Sequence, residues 1–71
     1  MKCNLNNVKN GNAKIVGFES DCVAYYLKKQ GFALNAKINI LKNCKQYVAF
    51  YLDNCLCAID GFWASKIVVE V

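Results

Sequence analysis

From Lys37 to the end of the chain, apolar side chains fall on every second position. Ile38 and Ile40 share one face, as do Val48, Phe50 and Leu52, then Cys55, Cys57 and Ile59, then Ile67, Val69 and Val71. A period of two puts alternate side chains on one side of a half-buried strand. The breaks between these runs carry turn chemistry. Asn43-Cys44-Lys45 separates the first two, and Asp53-Asn54 is suited to a two-residue hairpin. Residues 36–59 therefore read as a three-stranded meander, and 66–71 as a final strand. Asp60 to Ser65 forms the connection, with Asp60 placed to cap one helical turn.

The first half supplies one further strand and one helix. Ala13 to Phe18 is β-branched at Ile15 and Val16, and Gly17 marks a bend or bulge. Ser20 and Asp21 are a helix-start signal, and Cys22, Val23, Tyr26 and Leu27 make a helical stripe. Lys28 and Lys29 fall in the last turn, and Gly31 is placed to end the helix in a left-handed conformation. This predicts a helix over about 21–30. The asparagine-rich residues 4–12 read as a lead-in loop anchored by Leu5 and Val8, with Cys3 in a mobile end. With 71 residues the chain holds a single domain, 1–71. Five short strands and one helix at this length are buried most economically by curling into a barrel, which removes exposed edges. The final strand then pairs with the first.

The order of these pieces resembles the FeoA family, whose domain is an SH3-like barrel. The resemblance runs through Leu5, Gly11, Ala13 and Ile15, then Leu27 with Gly31-Phe32. It continues through Lys37-Ile38-Asn39-Ile40, Ala58-Ile59 and Ala64-Ser65-Lys66-Ile67-Val68-Val69. Where the family has proline-glycine after the glycine-hydrophobe pair, this chain has Leu34-Asn35. Its last turn is apolar, Gly61-Phe62-Trp63, where the family is rich in glutamate or arginine. The resemblance implies a mainly β, SH3-like five-stranded barrel with one short helix between the first and second strands. It also implies a non-catalytic accessory of bacterial ferrous-iron uptake that binds or regulates a FeoB-type membrane transporter carrying a cytosolic GTPase. Similar barrels form the C-terminal domain of iron-dependent repressors, behind a helical DNA-binding region that this chain does not have.

Chemistry in the sequence is sparse. Histidine is absent, which removes the usual general base near neutral pH and the commonest metal ligand. The five carboxylates, Glu19, Asp21, Asp53, Asp60 and Glu70, sit at element ends or turns. The four glycines are isolated, so no phosphate-binding loop exists. The expectation is no catalytic residue and no cofactor.

Five cysteines are an odd number for a closed disulfide framework. The start shows no secretory signal, and no apolar run approaches the roughly 20 residues that span a bilayer. These features place the chain in a reducing cytoplasm with free thiols. Cys55 and Cys57 lie on one face of a strand about 7 Å apart. They are the candidate ligands for weak Fe2+ or Zn2+ binding, against the plainer reading of small core residues. Cys44, in a turn, is the candidate exposed thiol.

The net charge of +4 comes from nine lysines and no arginine. They are scattered, with only Lys28 and Lys29 adjacent, which argues for a solvated surface and against a nucleic-acid track. A small nucleic-acid-binding barrel and a thiol-based metal-binding protein stay open as alternative functions. The candidate partner surface is aromatic. Tyr47 and Tyr51 point away from the core side of their strand, and Phe62 and Trp63 lie in an exposed turn. The expected partners are the FeoB-type transporter and, through exposed strand edges, a second copy of the chain.

Overall fold

The computed structural model describes all 71 residues. Its strands are β1 (Lys2–Asn4), β2 (Gly11–Phe18), β3 (Lys37–Asn43), β4 (Tyr47–Leu52), β5 (Cys55–Asp60) and β6 (Ile67–Glu70). Helix α1 (Asp21–Lys29) follows β2, and the single-turn helix α2 (Gly61–Ala64) follows β5. All six strands form one antiparallel sheet in the order β1-β6-β2-β3-β4-β5. The mainly β, SH3-like fold with a helix after the first long strand is as expected. The 36–59 meander and the pairing of the last strand with β2 also hold.

Two features differ. A sixth strand, β1, lies where the sequence reads as a mobile end and lead-in loop. Lys2, Cys3 and Asn4 pair with Glu70, Val69 and Val68. Cys3 is therefore half-buried against the core. The sheet is also not closed, because β1 and β5 are its free edges. β1 is only three residues long and turns at once into a 3-10 segment, Leu5–Asn7. Instead of a seam, α2 bridges the edges, touching that 3-10 segment on one side and β4 and β5 on the other.

The core is what the alternation demands. Ile38, Ile40, Val48, Phe50, Leu52, Ile67 and Val69 are all buried, together with Leu5, Val8, Ala13, Ile15 and Leu27. The helix stripe is only half used. Leu27 is buried and Val23 packs against the core, but Cys22 and Tyr26 are exposed. Phe32, read as a connector residue, is a core residue whose ring lies 5.9 Å from that of Phe50.

Local signals act as read. Ser20 Oγ accepts from Val23 N–H at 3.3 Å to start α1. At its end, Gly31 N–H donates to Lys28 O and Phe32 N–H to Leu27 O, both at 3.1 Å. This pair of bonds closes the last carbonyls and brings Phe32 back over Leu27. It needs the φ of +101° that Gly31 adopts. Nothing lies within 4 Å of a Cβ built there, so Gly31→Ala meets only backbone strain. The expected cost is about 1–2 kcal/mol, read as a fall of several degrees in Tm. An unchanged Tm would mean that the helix end is not held in this form.

The Asp53-Asn54 turn has φ of 48° and 72°, the double left-handed conformation of a tight hairpin. Gly17 marks a register shift between β2 and β6. Asparagines do the remaining tying. Asn43 Nδ2 donates to Asn6 O and Val8 O, at 2.9 and 2.7 Å, and Asn4 Nδ2 donates to Ser65 O at 2.6 Å.

Candidate partner-binding surface

The interior offers no polar site. All fifteen buried residues are apolar, and none is polar or charged. Whatever this molecule recognises meets its exterior, and the exterior is unusually apolar around β5.

Register decides which side chains are outside. β4 and β5 pair as Val48 with Ile59, Phe50 with Cys57 and Leu52 with Cys55. The intervening pairs are Tyr47 with Asp60, Ala49 with Ala58 and Tyr51 with Leu56. The first set faces the core. The second faces solvent, where Tyr51 is 41% and Leu56 66% exposed. Leu41 joins this face from β3, where the register shifts between Ile40 and Lys42. Tyr47 and Tyr51 thus form an outward stripe, as their parity predicts, and Lys42 Nζ lies 5.8 Å from the Tyr47 ring centroid.

Phe62 and Trp63 sit at a separate place. Asp60 Oδ1 accepts from Trp63 N–H at 2.9 Å and fixes α2 as a capped turn. Trp63 then stacks on Tyr26 of α1, with centroids 4.6 Å apart and planes at 19°. Phe62 meets Trp63 edge-on at 5.5 Å and stays 63% exposed. Tyr26 belongs to this cluster although its helical position marks it only as part of a core stripe. Its pairing with Trp63 depends on tertiary structure. Behind the cluster, an open groove of about 500 Å³ with a mixed polar and apolar lining runs between α1 and the edge of β5. Leu27, Phe32, Cys57 and Ile59 line it along with Tyr26 and Trp63. The four predicted partner residues therefore divide into two patches, one on each side of β5.

The thiols do not converge. Cys57 is half-buried under the groove, with its S–H 3.5 Å from Cys55 O, and Cys55 is exposed. No group of three or more cysteine or carboxylate side chains gathers around them or elsewhere. Cys44 is not the exposed thiol expected of a turn residue. It is half-buried and directs its S–H to Tyr47 O at 3.4 Å, whereas Cys22 and Cys55 are the exposed ones.

No family model matches the chain, and no curated protein matches its sequence. Solved structures do match. A FeoA-like protein from Clostridium acetobutylicum superimposes with a TM-score of 0.84 at 22% identity, over 99% of this chain and 86% of that one. The fold is that of the FeoA proteins. A second structure, an iron uptake regulatory protein (FeoA), aligns with a TM-score of 0.80 at 19% identity, over 99% of this chain and 97% of its own. The FeoA-like fold also occurs inside a larger protein. ScaR with bound Zn2+ aligns at 18% identity and a TM-score of 0.83 over 96% of this chain, which spans 36% of ScaR. No helix here is long and apolar enough to cross a membrane.

Proposed function

We propose that this chain is a non-catalytic accessory of bacterial ferrous-iron uptake, acting in the cytoplasm by binding or regulating a FeoB-type transporter. The observation that carries the reading is the FeoA-like fold over 99% of the chain. An exposed aromatic cluster in place of an enclosed site fits the same reading. The contact is centred on Phe62 and Trp63. Phe62 is solvent-facing and already seated edge-on against Trp63 in a turn capped by Asp60, which lowers the ordering needed when it docks. Rigid exposed aromatics are the usual energetic centre of such contacts.

Titration of the chain against the cytosolic domain of the FeoB-type transporter from the same cell tests this. Saturable binding is expected. Phe62→Ser should weaken it by about 30-fold, the loss typical of a hot-spot residue. Because Phe62 is an exposed side chain, the same substitution should move stability by no more than about 0.5 kcal/mol. Equal binding by the folded variant, or no binding by either protein, contradicts the proposal.

A further inference from the structure

We infer that β5 is a self-pairing edge, at which a second copy of this chain adds its own β5 antiparallel about a two-fold axis through Cys57. This goes beyond the transporter reading and does not depend on it.

The backbone supplies the first reason. In the β4–β5 ladder the odd residues of β5 bond inward, a pattern continued by Gly61 N–H donating to Gln46 O at 3.1 Å. The N–H and C=O groups of Leu56 and Ala58 therefore point away from β4, and no hydrogen bond outside the sheet takes them up. Free edges of this kind are ordinarily protected by lysine, proline or a cover. The opposite edge, β1, begins with Lys2. α2 lies between the two edges and touches β5 as well as the 3-10 segment after β1, so it distinguishes neither edge. β5, Cys-Leu-Cys-Ala-Ile-Asp, has neither lysine nor proline.

Register supplies the second reason and selects the occupant. Outward groups must meet outward groups, which leaves few two-fold arrangements. Centring on Ala58 would set Leu56 against the carboxylate of Asp60. Centring on Cys57 instead pairs Leu56 with Ala58 twice, Cys55 with Ile59 twice, and Cys57 with itself. The only charged residue of β5, Asp60, then falls opposite Asn54, whose side-chain amide is a hydrogen-bond donor. In this register the strands of two chains, each of net charge +4, place no cation against a cation.

The flanking surfaces complete the fit. On the inner side the two copies' grooves, each lined by its own Cys57 and Ile59 beside Tyr26, Phe32 and Trp63, come together. The second copy's Leu56 and Ala58 extend the Tyr51–Leu56 face on the outer side.

Sedimentation of the intact chain at rising concentration tests the inference. A reversible dimer is expected. Ala58→Pro removes an outward N–H and no bond to β4, so the fold should survive. Two intermolecular bonds are lost, and dimer affinity should drop about tenfold or more. Ala58→Lys, which places a cation on the edge without touching the backbone, should do the same. A variant keeping Cys57 alone among the cysteines should form a crosslinked dimer with diamide. The two thiols become one disulfide, and their two protons and two electrons reduce diamide to the hydrazine. A variant keeping Cys55 alone should not crosslink, because Cys55 faces Ile59. A chain that stays monomeric up to about 1 mM, a dimer indifferent to both Ala58 substitutions, or crosslinking through Cys55 in place of Cys57 overturns the inference. So does a monomer that accepts only a foreign strand at this edge.

Discussion

Phe50→Ala is expected to leave the protein at the limit of folding. Phe50 is fully buried in β4, between β3 and β5, against Phe32 at 5.9 Å and opposite Cys57. Truncating a buried phenylalanine costs about 3–5 kcal/mol through lost transfer energy and the cavity left behind. A chain of 71 residues has a total stability of about 4–11 kcal/mol. The loss is thus about a quarter or more of all the stability present. With a urea slope of about 1 kcal/mol/M for so small a domain, the midpoint should fall by about 3–5 M. A shift below about 1 M would show that β3, β4 and β5 do not enclose this ring.

Gly61→Val is expected to cost about 1–3 kcal/mol and to disturb the aromatic cluster, for a reason unlike that at Gly31. The backbone of Gly61 is not left-handed, but a Cβ there would lie 2.7 Å from Lys45 O. Gly61 N–H also donates to Gln46 O, so the first turn of α2 is pressed against the β3–β4 connection. A side chain must push α2 outward, taking Trp63 from Tyr26. Trp63 is the only tryptophan, so its emission reports on this stack alone. Gly61→Val should alter that emission in the folded state, whereas Gly31→Ala should lower Tm without changing it. Unaltered emission in folded Gly61→Val would contradict the close approach.

These two positions also show what was readable in the sequence. Phe50 sits in a run whose strict alternation fixes its face, so its burial follows from period alone. The capping roles of Ser20 and Asp60, the left-handed Gly31 and the Asp53-Asn54 hairpin follow from local chemistry in the same way. The tightness at Gly61 depends on where Lys45 comes to rest, and no local pattern encodes that. β1 went unread because Lys2-Cys3-Asn4 has no alternation of its own. It is a strand only because β6 offers it a partner. Closure was expected because a barrel hides its edges, yet β1 is too short to meet β5, and α2 fills the gap. Of the candidate site, parity exposed Tyr47 and Tyr51 and the apolar turn exposed Phe62, but Trp63, expected in the open, is half-buried against the core. Tyr26 and the groove beside β5 arise from long-range packing of α1 on the sheet edge.

A small curled sheet that serves ferrous-iron uptake through its outer surface, as proposed above, must be required for that uptake in the cell. Radiolabelled ferrous-iron uptake in cells deleted for this chain, complemented with either the unaltered protein or folded Phe62→Ser, tests it most directly. Reduced uptake in the deletion, restored by the unaltered protein and not by Phe62→Ser, is the predicted result. Uptake undiminished by the deletion, or restored equally by both proteins, would contradict it.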